Sequence, residues 1–496
     1  MTPGPCPVPP HACRRRVALA GMEHFDLVII GSGSGNSLID ERFDGLRVAL
    51  VERGIFGGTC LNVGCIPTKM FVLPADHAVA PEQARRLGVD QQTTEVHFDQ
   101  IRDRIFGRID PISTGGKQWR EQSENVTVFT GTGRFVDSHT LEVAVQGEDE
   151  PVRISGERFV LAAGSRATLL DVPGANDPQV APKVHTSDTV MRLAGLPRRM
   201  VVLGGGYIAS EFAHVFSAYG TEVTMINRSE RLLRREDEDI SERFTKIIAD
   251  RVNLQLNQEV VRLEGERGEV VVVTQDPNGI EYSHPTDVVL VAHGRVPNGD
   301  GLDLDRAGVA VDAKGYVVVD EHQRTSQPHI WALGDVSSPL QLKHVANHEM
   351  RVVQVNLLAE LAGQQATASS DHRFVPHAIF TEPQIASVGA TEQELRRSGT
   401  PYRSKLQAYG DVAYGWAMED SEHFVKLLSD ERGEQLLGAH IIGPQASTLI
   451  QPLIQAMSFG LGVEQMARGQ YWIHPALTEV VENALLGLVG KDFVEA

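Results

Sequence analysis

Apolar runs broken by glycine turns organise this chain. Phe25–Ile30 (FDLVII) is nearly continuous in apolar side chains, the pattern of a strand buried on both faces of a parallel sheet. Gly31-Ser32-Gly33-Ser34-Gly35 follows, then a stretch patterned as a helix to about Phe43, then a second apolar run, Val48–Val51, closed by Glu52. Strand, glycine turn, helix, strand and terminal acid make one mononucleotide-binding unit. The arrangement recurs at Met200–Leu203, Gly204-Gly205-Gly206, a helix through Ala218 and a strand Glu222–Ile226. Two such units imply two dinucleotides, or the same one twice.

Further along, Leu161–Gly164 and Val291–Arg295 read as paired crossings between domains, and Ile330–Asp335 (IWALGD) returns the chain to the first domain. After Asp371 the pattern shifts to mixed strand and helix. Leu449–Leu461 reads as a long apolar helix, suited equally to an oligomer interface or to a core. A length of 496 residues allows about three domains. The fold class is α/β, with two Rossmann-like dinucleotide-binding domains and an α+β C-terminal domain.

Charge narrows the partners. With 46 basic and 65 acidic residues the net charge is −19, which argues against nucleic acid and anionic membranes. No apolar run approaches the ~20 residues of a membrane helix. Of four cysteines, Cys6 and Cys13 sit in a proline-rich opening without apolar periodicity. Arg14–Arg16 precede an apolar run too short for a signal peptide. Residues 1–21 therefore read as a disordered extension, with Met22 a candidate true start. So few cysteines suit a reducing cytoplasm, where a persisting pair is catalytic or redox-sensing. No metal site is expected.

Chemistry concentrates at Gly57–Lys69, GGTCLNVGCIPTK. Cys60 and Cys65 stand five apart, close enough for a strained, reducible disulfide, although two buried helical thiols would share the spacing. The first glycine fingerprint is imperfect, with Asn36 at its sixth position. Glu52, 21 residues after Gly31, supplies the carboxylate that binds an adenosine ribose hydroxyl. The second fingerprint, Gly204-x-Gly206-x-x-Ala209, ends without an acid, reading Asn227-Arg228 with Arg231, Arg234 and Arg235 beyond. Guanidinium groups pair with a 2′-phosphate that an acid would repel, so NADPH is favoured over NADH, a solvated basic loop being the bland alternative. Near the C-terminus, His474 precedes a proline that restrains it, and Glu479 can orient its imidazole for acid–base work.

The string at 57–69 resembles the redox-active disulfide of the pyridine nucleotide–disulfide oxidoreductases, the family of glutathione reductase and lipoamide dehydrogenase. The resemblance runs from about Glu23 to Val489. It implies a first FAD-binding segment at 23–170, an NADPH-binding domain at 171–294, a second FAD-binding segment at 295–370 and a dimerisation domain at 371–496, after the extension at 1–22. FAD contacts would come from Gly31, Ser32, Gly33, Gly35, Glu52, Arg53, Gly58, Thr59, Cys60, Lys69, Thr132, Gly133, Ala163, Gly164, Asp335 and Val345. NADPH contacts would come from Gly204, Gly206, Tyr207, Ile208, Glu211, Arg228, Arg234 and Gly294. By the same resemblance Cys60 attacks substrate, Cys65 lies against the flavin, and Lys69 pairs with Glu211 to polarise its hydride-accepting end. Tyr207 covers the flavin until nicotinamide enters, and His474 with Glu479 serves the partner subunit of an obligate homodimer.

Several stretches resemble the branch that reduces mycothiol disulfide: GSGSGNS at 31–37, FGRIDPI at 106–112, YGDVAYGWAMED at 409–420 and ARGQYWIHPAL at 467–477. On the first helix, where glutathione reductases carry an arginine toward a substrate carboxylate, this chain has Glu41. A cysteinyl-glucosaminyl-inositol disulfide lacks those carboxylates. Dihydrolipoamide dehydrogenase, another NADPH disulfide reductase such as glutathione reductase, and a redox-responsive protein without turnover remain alternatives.

Overall fold

The computed structural model describes residues 22–266 and 268–489. The expected disordered extension, with Cys6 and Cys13, lies outside the described residues. Helices that position the site are α1 (Gly58–Asn62), α2 (Cys65–Arg86), α3 (Phe98–Glu121), α4 (Tyr207–Ala218), α5 (Glu238–Ala249), α6 (Lys343–Leu361) and α7 (Glu392–Ser398).

One compact unit gathers the described residues up to Cys65, Arg108–Arg166 and Arg295–Asp371. Its eight-stranded sheet has Val48–Glu52, Leu27–Ile30 and Phe159–Leu161 side by side and parallel, with Ile330–Ala332 at one edge. The apolar runs are continuous because both faces are covered. Leu27, Ile29 and Leu50 pack with Leu38, Phe43 and Trp331 on one face, while Val28, Ile30 and Val51 pack with Phe135, Leu141 and Ile330 on the other. The run at Phe25–Ile30 is two strands rather than one. Asp26 separates them, its carboxylate accepting the Arg47 N–H (2.7 Å), and the leading piece Glu23–Phe25 pairs instead with Val152–Gly156.

The stretch expected to be helical up to Phe43 is two single turns of 3-10 helix, Gly35–Leu38 and Glu41–Phe43, with Ile39 extended between them. A continuous α-helix would need the carbonyls of Asn36 and Ile39 for its own ladder. Both instead accept from the Arg120 guanidinium (2.7 and 3.0 Å), and Asp40 caps the second turn by accepting the Arg42 N–H. Glu41 is therefore an exposed residue of a short turn, not a position on a helix face.

The second compact unit comprises Ile66–Gly107, Ala167–Gly294 and the described residues from His372 onward. Its five-stranded sheet is wholly parallel, in the order Asn253–Leu256, Glu222–Asn227, Arg199–Leu203, Val288–Val291, Val184–Thr186. The second fingerprint sits where strand Arg199–Leu203 turns into α4. The C-terminal part is an antiparallel five-stranded sheet whose central strands are Ile385–Gly389, Leu436–Ile442 and Phe424–Asp430. The apolar stretch at 449–461 is broken: Ala446–Leu449 ends before Gln451–Phe459, which stops at Gly460 in the left-handed region. Leu453, Ala456 and Met457 belong to the core of this sheet, whereas Phe459 stands exposed.

Candidate active site

Tight backbone packing shapes the cysteine segment. Gly57 and Gly58 both adopt positive φ, and a Cβ on Gly58 would stand 2.7 Å from the Gly33 Cα, so the segment lies directly against the first glycine turn. The Asn62 amide donates to the carbonyls of Phe56 (2.9 Å) and Gly58 (3.0 Å), closing α1 on itself. Cys60 lies half-buried on α1, and Cys65 is the exposed first residue of α2. The hydrogen bond with Cys65 pushes the Cys60 thiol far above the ordinary cysteine range; burial and the Cys65 charge add to this, while Lys343 opposes it.

Around the first glycine turn the donors converge on Glu52. The Ser32 N–H and hydroxyl both donate to its Oε2 (2.8 and 2.6 Å), and the Gly54 N–H donates to its Oε1 (2.8 Å). The Ser32 hydroxyl in turn accepts the Gly57 N–H (2.8 Å). Gly31 has φ +107 and presses on the Ala162 carbonyl, and Gly35 abuts the Ala162 and Ile29 side chains. Asn36, the departure from the fingerprint, is explained by α3: its Oδ1 accepts the Arg120 Nε (2.6 Å). Burial lowers the pKa of that guanidinium.

Asp335 is braced from below. The Ser165 hydroxyl donates to its Oδ2 (2.6 Å), and Arg295 donates to the Ser165 hydroxyl (2.9 Å) and carbonyl (2.8 Å). Behind it the buried Glu349 accepts the Gly334 N–H (2.6 Å), and burial raises its pKa to about 7. Lys343 donates to the Ser34 hydroxyl (2.8 Å). Of the remaining expected positions, Arg53 and Thr59 are exposed, Thr132 half-buried, and Gly133 buried against Leu141. Ala163 and Gly164 bond to Asn298, and Val345 is buried in α6. A carboxylate at the strand end, a glycine cradle and a braced aspartate form the donor set an FAD requires.

In the second unit, Gly204 (φ +128) lets the chain turn against the Ala292 carbonyl, and Gly206 caps α4 with open space where a Cβ would stand. The exposed amides at the start of α4 suit a pyrophosphate. Tyr207 and Ile208 open that helix, and Gly294 takes φ +146 at the end of the neighbouring crossing. One turn further, buried Glu211 accepts Lys69 Nζ at 2.8 and 2.7 Å on its two oxygens, together with the Phe380 N–H (2.9 Å). Lys69 also lies over the Phe380 ring, 4.6 Å from its centroid. Arg228 and Arg234 are exposed and form no ion pair among the described residues. Arg231, by contrast, is committed to Glu242 (3.0 Å) and Glu238 (3.8 Å). These residues fit a coenzyme with a 2′-phosphate.

His474 follows Ile473 and Tyr471, both strongly exposed, and its own ring is 71% exposed. Nδ1 lies 2.8 Å from Glu479 Oε1. A carboxylate only accepts, so Nδ1 carries the hydrogen and Nε2 is left as the basic nitrogen. Among the described residues no group of three or more His, Cys, Asp or Glu could hold a metal ion.

Sequence reading missed Arg120, Ser165, Arg295, Lys343, Phe380 and Glu349. Each acts on a residue at least 15 positions away in the chain, although Ser165 and Arg295 lie at the ends of the two crossings.

A family model described as pyridine nucleotide-disulphide oxidoreductase matches residues 25–354, and that family's dimerisation domain matches 375–485. The mycothione reductase of Mycobacterium tuberculosis is 51% identical over 94% of this chain and 100% of its own. The dihydrolipoyl dehydrogenase of Mycobacterium leprae is 33% identical over 95% and 99%. Among solved structures, the HOCl-induced flavoprotein disulfide reductase RclA from Escherichia coli superposes with a TM-score of 0.79 at 28% identity, covering 93% of this chain and 99% of that one.

Proposed function

This chain belongs to the pyridine nucleotide-disulphide oxidoreductases, a family of FAD- and NAD(P)H-dependent enzymes, and on that footing we propose that it reduces mycothiol disulfide (mycothione) to two mycothiols with NADPH. The observation that carries the reading is the hydrogen-bonded Cys60–Cys65 pair, in a chain half-identical to a mycothione reductase over nearly its whole length. FAD, when bound, relays two electrons from the coenzyme to this cysteine pair. Glu52 and the glycine turn would hold its adenosine end, Asp335 its ribityl chain, and Lys69 with Glu211 would steady the reacting end of the ring. Gly204, Gly206 and the start of α4 would take the pyrophosphate of NADPH, with Arg228 and Arg234 on its 2′-phosphate.

The raised Cys60 thiol bears on the order of thiol chemistry. Cys60 retains its proton, so it needs a base before it can attack, and His474 Nε2, oriented by Glu479, supplies one. The Cys60 sulfur then bonds to one mycothione sulfur as the substrate S–S bond breaks, and the departing mycothiol takes the proton from His474. Cys65, as its thiolate, then attacks the Cys60 sulfur, re-forming the Cys60–Cys65 bond and releasing the second mycothiol as a thiolate that takes up one proton from solvent. NADPH, one proton and mycothione thus give NADP⁺ and two mycothiols.

His474 serves the Cys60 of a second copy. Its high exposure on its own chain and the matched dimerisation domain support a homodimer. The domain division is FAD at 23–170 and 295–370, NADPH at 171–294 and dimerisation at 371–496. The enzyme works in the cytoplasm; no described helix is long and apolar enough to cross a membrane. Dihydrolipoamide dehydrogenase is disfavoured because Asn227 and Arg228 stand where an NAD site offers an acid.

The test is anaerobic titration of the flavoprotein with NADPH, followed by turnover on mycothiol, glutathione and lipoamide disulfides side by side. Mycothione should be reduced fastest. A faster rate on lipoamide with NAD(H) would replace this reading by the dehydrogenase.

A further inference from the structure

The loop after strand Glu222–Asn227 is shaped by the last side chain of that strand. Asn227 is 9% exposed, and its amide donates to the carbonyls of Ser229 (3.1 Å) and Arg231 (2.9 Å). These bonds curl residues 228–231 back over the strand end. On its other side the carboxamide rests against Gly205, where a Cβ would come within 2.7 Å of it. Beyond Arg231 the loop is anchored by apolar burial of Leu232 and Leu233 and by the Leu233 N–H donating to the Gly205 carbonyl (2.7 Å). Arg231 is drawn aside by its carboxylates, which leaves Arg228 on the curl, and Arg234 and Arg235 just beyond it, as exposed cations of the loop.

We propose that Asn227 is a positioning residue for coenzyme choice: its carboxamide fixes the curl that presents Arg228, and from which the loop runs on to Arg234, to a 2′-phosphate, without itself touching the phosphate. The inference rests on reading the second unit as an NADPH site. An acid at this position could not donate to either carbonyl. Its oxygens would face the carbonyl oxygens of Ser229 and Arg231, and the curl would have to open. Exchanging one amide nitrogen for oxygen would therefore both remove the support of the arginine loop and place a negative charge beside the ribose.

Calorimetric binding of 2′,5′-ADP and of ADP, which lacks the 2′-phosphate, to the FAD-loaded enzyme tests this directly. Wild type should prefer 2′,5′-ADP. Asn227→Ala, neutral and smaller, should weaken 2′,5′-ADP about tenfold and leave ADP within about twofold, as loss of two loop-setting hydrogen bonds implies. The Michaelis constant for NADPH should rise in parallel with kcat held. Asn227→Asp, nearly isosteric, should weaken 2′,5′-ADP at least as much, and retained ADP binding certifies that either variant is folded. Equal wild-type affinities for the two nucleotides would overturn the NADPH reading and this inference with it. A wild-type preference that survives intact in Asn227→Ala, or an equal loss for both nucleotides, would overturn this inference alone.

Discussion

Two thiols in hydrogen-bond contact do not ionise independently: whichever loses its proton first is held by the other, whose own pKa then climbs. The hydrogen bond with Cys65 drives the Cys60 thiol upward, and the proposed division of labour makes Cys60 the attacking thiol and Cys65 the one beside the flavin. Cys60→Ser should keep the long-wavelength absorbance of a thiolate beside the flavin and lose turnover, whereas Cys65→Ser should lose both. Retention of that band in Cys65→Ser would reverse the assignment. Glu349 offers a second single-residue test. Buried beside Asp335, it binds its proton more tightly in the folded chain, at about 7, than its ordinary value of 4.5. Stability from this group is full at low pH and drains away as pH rises from about 4.5 to about 7, by about 3 kcal/mol in all. Urea denaturation of wild type and Glu349→Gln should show the variant gaining on wild type over that range. Parallel pH profiles for the two proteins would rule the linkage out.

Elements are tied together by polar groups that the hydrophobic pattern conceals. Lys426 reads as one residue of the apolar strand Phe424–Asp430, yet it is fully buried and its ammonium reaches Asp237 (2.7 Å), Asp239 (2.6 Å) and Glu392 (2.6 Å). Asp237 caps α5, and its Oδ2 also accepts the Glu392 N–H at the start of α7 (2.9 Å), so one cluster fixes two helix starts to the C-terminal sheet. Burial alone would raise Glu392, but Lys426, Tyr402 and Arg396 win and hold it at about 2. Its contribution is complete above about 4.5 and is lost as pH falls toward 2. Lys426→Met should cost about 3–5 kcal/mol, because Asp237 would be left buried without a countercharge. A denaturation midpoint unchanged from wild type would show the cluster to be energetically neutral. The same contrast explains what the sequence made legible. The parallel strands, the second fingerprint with α4, residues 57–69 and the His474–Glu479 pair are local patterns. Their chemistry lies within a few residues of itself. Arg120 on Asn36, Ser165 under Asp335 and Lys426 on Asp237 join residues 84, 170 and 189 positions apart. No periodicity announces them. The first helix failed for the same reason, since the group that takes its carbonyls comes from α3.

For the whole molecule the decisive question is how many chains one site needs. His474 has its orienting carboxylate on its own chain, but its ring stands 71% exposed with the apolar Tyr471 and Ile473 beside it, an arrangement suited to a surface that a second copy covers. If the base comes from the other subunit, two inactive variants can repair one another. Cys60→Ser and His474→Ala homodimers should each be slow, the latter by about 10²–10⁴-fold if general acid–base catalysis is of ordinary size. In a hybrid dimer, one site combines the Cys60→Ser and His474→Ala lesions and is dead. The other combines an intact Cys60 with an intact His474 and works. Random re-association of equal amounts should therefore recover about a quarter of the wild-type rate, since half the dimers are hybrids with half their sites intact. Sites built within single chains would recover nothing, because every chain in the mixture carries one lesion. Rates measured before and after mixing, with subunit exchange followed by mass spectrometry, separate the two: recovery establishes the shared site, and exchange without recovery refutes it.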